Sequence, residues 1–152
     1  MRSLKTFGLG GVHPPENKLS EKTPIEVFPL PKQVTIPVNQ NLGGPATPLV
    51  AKGDVVKVGQ LIAKGEAFIS SNVHSPVSGD DVKIDQMTDP AGFRRKAIVI
   101  NVEGDEWDPS VDLSPELRTE ITHSREEIVK KIHDMGIVGM GGATFPSHVK
   151  LL

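Results

Sequence analysis

Residues 52–79, KGDVVKVGQLIAKGEAFISSNVHSPVSG, constrain the fold more than any other stretch, because glycines fall at short intervals between apolar runs. Val55, Val56, Val58, Leu61 and Ile62 are branched or bulky apolar residues, and Gly53-Asp54, Gly59-Gln60, Gly65-Glu66 and Ser78-Gly79 punctuate them. Runs this short, turned this often, suit a small β barrel and are far too short for a parallel sheet with its crossovers. The 15 glycines and 13 prolines across the chain also favour turn-rich β structure over a helical bundle. With one Trp, five Phe and no Tyr, the core is left to Val, Ile and Leu.

The flanking sequence extends this barrel to residues 33–103. QVTIPV at 33–38 reads as a strand, with Pro37 at an edge or bulge because it donates no ladder hydrogen bond. Residues 80–84 and 97–102 read as two more strands on either side of a loop at 88–92. Upstream, Pro14, Pro15, Pro24, Pro29 and Pro31 fix φ and withhold donors, so residues 1–32 are expected to form an extended N-terminal arm. Downstream, 104–123 is an acidic linker whose Trp107 is expected to pack it onto the barrel. Ser114-Pro115 is a helix-start signal, and a short helical turn is expected through Leu117. The last segment, 124–152, opens with a capping box at Ser124 and Glu127. Ile128, Ile132 and Met135 then share one face, and Gly136 supplies a stop, which predicts a helix over 125–135.

Several function classes are excluded at this level. The net charge is −2 and no basic run exceeds Arg94-Arg95-Lys96, so the basic face that phosphate backbones require is missing and no nucleic-acid partner is expected. The absence of cysteine removes disulfides, thiolate nucleophiles and cysteine-held iron-sulfur clusters from these residues. The longest apolar run, at 97–100, falls far short of the roughly 20 residues of a membrane span, so a soluble cytosolic chain able to dock on a membrane complex is expected. His13, His123, His133 and His148 lack ligand spacing, so no metal site is expected and they read as surface or partner contacts. His74 reads as a hydrogen-bonded structural histidine. No nucleophilic triad is present, and no residue is assigned a catalytic role.

Residues 136–150, GIVGMGGATFPSHVK, carry the remaining chemistry. Gly139, Gly141 and Gly142 let backbone amides approach a phosphate without interference from Cβ. Ser147 would cap a following helix, and Lys150 would bring a point charge to the same anion. Glycines that end a helix and open a flexible tail explain the pattern equally well, so the residues by themselves leave both readings open.

Two resemblances narrow the choice. GDVVKVGQ at 53–60 and SPVSG at 75–79 resemble the biotinyl and lipoyl carrier domains, whose fold is a barrel-sandwich hybrid. In that alignment the modified lysine falls on Ile69, which has no amine, and Lys64 lies on the wrong side of the hairpin, so the barrel is a retained scaffold. GIVGMGGATFPSHVK resembles the glycine-rich signature of the flavin-carrying, NADH-oxidising subunit of respiratory complex I and of the C subunit of the Rnf ion-translocating electron-transport complex. FGLGGVHPPENK at 7–18, PLP at 29–31 and VHSPVSG at 73–79 are similar to the Rnf C subunit in particular.

The second resemblance implies a mainly β barrel-sandwich hybrid followed by a short helical segment that begins a truncated α/β nucleotide-binding domain. By that resemblance Gly139, Gly141 and Gly142 approach FMN, Lys150 contacts the same flavin and Phe145 stacks near the nicotinamide of NAD(H). Thr144 departs from the family's glycine there, adding a β-branched side chain where backbone freedom is expected. It further implies 4Fe-4S clusters held elsewhere in the full-length subunit, and electron exchange between NADH and ferredoxin coupled to ion transport. Other subunits would be the partners, at the cytoplasmic face of the membrane, and the fragment alone would be inactive. A docking module with the glycines as a hinge is the rival, and flavin titration separates the two.

Overall fold

A computed structural model describes residues 14–117 and 119–152. FGLGGVH at 7–13, with His13, lies outside the described residues. The chain divides into two units, residues 1–30 and 31–152. In the first, residues 14–30 form no helix or strand. They carry short local turns, among them one in which the Thr23 hydroxyl and N–H both donate to the Ser20 carbonyl, at 2.6 and 3.1 Å.

The second unit is a barrel of two three-stranded antiparallel sheets with a small helical appendage. β1 (Gln33–Pro37), β5 (Gly79–Thr88) and β6 (Arg94–Val102) make one sheet in the order β1-β6-β5. The second is β2 (Thr47–Pro48), β3 (Leu61–Lys64) and β4 (Val73–His74). β1 is an edge strand, as Pro37 requires, and its alternation turns Val34 and Ile36 inward. β6 is the central strand, and Ala97, Ile98, Val99 and Ile100 are buried in succession. Ile36, Val82, Ile98 and Ile100 from one sheet meet Ile62, Ala63 and Val73 from the other in one core. Contrary to expectation, no leucine is buried among the described residues. β-branched side chains fit a pleated surface better than the γ-branched leucine does, and the strands use them.

The β5–β6 hairpin is longer than the apolar pattern indicated. Its outer half carries Asp85, Gln86, Arg94, Arg95 and Lys96 on exposed positions, so ladder hydrogen bonds extend it where hydrophobicity does not. Asp89 builds the turn: Oδ1 accepts from the N–H groups of Ala91 and Phe93, and Oδ2 accepts from Arg95 Nε at 3.0 Å. These bonds, that of Phe93 foremost, hold the Asp89 carboxyl below its ordinary pKa. Nearer the core, β5 carries a bulge between Asp80 and Lys83, with Asp81 at φ 45°. The extra residue shifts the alternation and places Val82 inside.

The acidic linker is part of the barrel wall. Val58 N–H donates to the Glu106 carbonyl and Asp108 N–H to the Val58 carbonyl, both at 2.8 Å, forming a parallel bridge. The Ser78 hydroxyl donates to the Glu103 carbonyl at 2.7 Å and accepts from Glu106 N–H at 3.1 Å. The Trp107 ring, expected to anchor this segment, is 44% exposed, so backbone pairing does that work. The helical turn expected from Ser114 through Leu117 does not form.

α1 (Arg125–Asp134) follows, with both halves of the capping box in place. It ends in a Schellman motif: Ile137 N–H donates to the Ile132 carbonyl, Gly136 N–H donates to the His133 carbonyl, and Gly136 takes φ +68°. None of its residues is buried. The chain closes with a two-stranded hairpin, β7 (Val138–Gly139) and β8 (Phe145–Pro146), and one turn of helix, α2 (Ser147–Lys150).

Candidate functional site

The glycine-rich segment forms the β7–β8 hairpin. Gly139 pairs with Phe145 and Val138 with Pro146, while Gly141 and Gly142 lie on the exposed turn. Of the expected site residues, Gly139, Phe145 and Lys150 come together: Lys150 Nζ lies 5.7 Å from the centre of the Phe145 ring, a cation-π contact. Ser147 does not cap α2; the N-cap is Pro146, with no side-chain hydrogen bond.

The three glycines are uncrowded, as are Gly53 and Gly92, but unlike those two they lack a positive φ. A Cβ at Gly141 or Gly142 would meet nothing within 4 Å, and one at Gly139 would meet only the Phe145 carbonyl at an ordinary 3.7 Å. None of the three adopts the left-handed φ that demands glycine. Neither crowding nor backbone conformation within this chain therefore calls for glycine there. The residue that does take a left-handed φ is Thr144, at +50°, where a β-branched side chain is strained. Its departure from the glycine expected there costs backbone comfort, while Gly141 and Gly142 stay open. A phosphorylated group would have room at this turn, because the space a Cβ would fill at Gly141 and Gly142 is free.

Between this hairpin and the barrel lies a cleft of about 320 Å³, lined by Asn41, Ser71 and His74 on one side and Met135, Met140 and Thr144 on the other. Met140, 88% exposed, stands on the turn itself. His74 is half-buried, and burial pushes its pKa down. Among the described residues no hydrogen bond reaches its imidazole, so the expected hydrogen-bonded structural histidine becomes an unpartnered ring facing the cleft.

His148 is a second correction. Expected at the surface, it is 7% exposed and lies edge-on to His133, with ring centroids 4.5 Å apart. The two histidines are 15 positions apart, so helical spacing gave no sign of the pair, which forms when α2 folds back on α1. Burial, then the neighbouring His133, push the His148 pKa down, and an interaction with the Phe68 backbone acts in the opposite direction. A lowered imidazole pKa means that the unfolded chain binds more protons below its own value of about 6.5. Stability from this site is therefore complete above that pH and is lost as pH falls below it. Thermal unfolding at pH 7.5 and 5.5 is expected to show a lower midpoint at 5.5, and His148→Asn is expected to reduce that difference, leaving the share that the half-buried His74 contributes. An unchanged slope would remove His148 from the account.

The barrel's own hairpin tip, residues 65–72, is tied down rather than free. Ile69, at the carrier-lysine position, is half-buried, and its carbonyl accepts from Gly44 N–H at 2.9 Å. A Cβ on Gly43 would fall 2.1 Å from that same oxygen. The tip is held against the barrel, whereas a swinging arm needs it free. Among the described residues no group of three or more His, Asp or Glu side chains is arranged to hold a metal ion, and no helix is long and apolar enough to cross a membrane.

These features define a class: a barrel-sandwich hybrid with isoleucine at the carrier-lysine position, fused to a helix and a glycine-rich hairpin. Residues 6–105 match the RnfC barrel sandwich hybrid domain, and the chain belongs to that family. It is 48% identical over 150 residues to the C subunit of the proton-translocating ferredoxin:NAD(+) oxidoreductase complex of Clostridium ljungdahlii, covering 97% of this chain and 32% of that protein. It is 40% identical over 153 residues to the C subunit of the ion-translocating oxidoreductase complex of Rhodobacter capsulatus, covering 97% and 29%. The C subunit of the Na(+)-translocating ferredoxin:NAD(+) oxidoreductase complex of Acetobacterium woodii is 39% identical over 144 residues, covering 93% and 32%. The chain thus spans about a third of the length of these relatives.

Proposed function

We propose that these residues are part of the C subunit of a membrane-associated electron-transport complex, and that the β7–β8 hairpin begins an FMN site. The complex would exchange electrons between NAD(H) and ferredoxin, coupled to ion translocation. The chain would sit peripherally on the cytoplasmic face among the other subunits. The observation that carries the reading is the pair Gly141 and Gly142: their Cβ positions are open and their backbone conformation does not require glycine.

In this reading the backbone N–H groups of Gly141 and Gly142 donate to the flavin's phosphate and ring edge, while Gly139, whose N–H faces Phe145 in the β7–β8 ladder, contributes by its missing side chain, which lets the flavin approach. Lys150 supplies positive charge, and its contact with Phe145 keeps the ammonium beside the aromatic face. Phe145, fixed by its pairing with Gly139, offers its ring to a nicotinamide. When bound, FMN supplies the exchange between the two-electron chemistry of NAD(H) and one-electron carriers. Iron-sulfur clusters would belong to other parts of the subunit, since this chain has no cysteine.

The test is a fluorescence titration with FMN. This chain alone, holding one wall of a nucleotide site, is expected to bind more weakly than about 1 μM. A chimera extended beyond Leu152 with the remaining two thirds of the Clostridium ljungdahlii protein is expected to bind below about 1 μM. An extended chain that leaves FMN fluorescence unchanged overturns the assignment in favour of a docking module.

A further inference from the structure

The β3–β4 hairpin tip does more than lose its lysine. Asn72, 8% exposed, uses the two ends of its amide for two different jobs. Its Oδ1 accepts from Gly65 N–H at 3.0 Å and closes the tip on itself. Its Nδ2 donates, also at 3.0 Å, to the carbonyl of Asp134, one of the last-turn carbonyls of α1 that have no helical partner. Its backbone carbonyl faces Gly136 so closely that a Cβ there would lie 2.3 Å away. One residue beyond Gly136 and Ile137 the chain enters β7, so whatever fixes the end of α1 also fixes the hairpin.

We propose that the tip of the β3–β4 hairpin is a socket anchoring the glycine-rich β7–β8 hairpin to the barrel, and that Asn72 is its positioning residue. The surface that presents a prosthetic group in carriers here orients a binding loop. The consequence for cofactor affinity rests on the FMN reading above; the socket itself does not.

Asn72→Asp separates the two jobs. The carboxylate still accepts from Gly65 N–H, but it offers no donor to the Asp134 carbonyl and sets negative charge against the negative end of α1. In this chain, amide hydrogen exchange at 138–146 is expected to accelerate about 10-fold or more, with protection in β5 and β6 unchanged. Gly136→Ala attacks the same contact from the other side and is expected to give the same local pattern. Equal loosening of barrel and hairpin in both variants, or no change at 138–146, overturns the socket. In the extended chimera FMN affinity is expected to fall about 10-fold with Asn72→Asp. Local loosening there with undiminished FMN affinity upholds the socket and removes the FMN reading of the hairpin.

Discussion

Gly79→Ala is expected to lower the stability of the barrel by about 3 kcal/mol or more, as measured by urea unfolding. The residue opens β5 and is paired on both flanks. Val56 N–H donates to its carbonyl at 2.8 Å, its own N–H donates to Val56 at 3.0 Å, and it sits opposite Val102 on β6. A Cβ there would lie 2.0 Å from the Asn101 carbonyl oxygen and 2.8 Å from Ile100 Cγ2. Relief requires moving a central strand whose neighbour Ile100 is fully buried, so overpacking and broken ladder bonds add together. Gly53→Ala is the control. Its Cβ would meet nothing within 4 Å, so only its φ of +89° opposes the change, at about 1 kcal/mol. Similar losses for the two variants would contradict the crowding at Gly79.

The double substitution Gly141→Ala/Gly142→Ala is expected to do the reverse: almost nothing to stability and a great deal to FMN. Neither added methyl meets an atom of this chain and neither φ is left-handed, so unfolding of the chain should shift by less than about 0.5 kcal/mol. In the extended chimera the same methyls occupy the space through which the amides reach their ligand. Losing two hydrogen bonds to a charged group corresponds to a fall in FMN affinity of about 100-fold or more. Undiminished affinity would mean that the turn does not touch the cofactor. A large loss of stability would mean that the glycines serve the fold.

Short-range physics was readable from the residues. The capping box at Ser124 and Glu127 and the glycine stop at 136 predicted α1 to within a residue, because caps and left-handed turns act over four or five positions. Glycine spacing in 52–79 and the alternation of QVTIPV announced the barrel for the same reason. The outer half of the β5–β6 hairpin was less legible, since ladder bonding there proceeds over charged side chains. The resemblance of 136–150 pointed to candidate ligand contacts, but not to the hairpin that joins Gly139 to Phe145.

By itself, then, the sequence determined a small β barrel, a capped helix and a run of glycines after it. Tertiary structure decided how they are joined. Asn72 meets Asp134 across 62 positions, His148 is buried against His133, and the carrier tip is folded shut under Gly43 and Gly44. No local pattern encodes such contacts. A hydrogen bond or a buried ring between distant segments depends on where the strands carry the chain, and only the folded barrel brings those ends together.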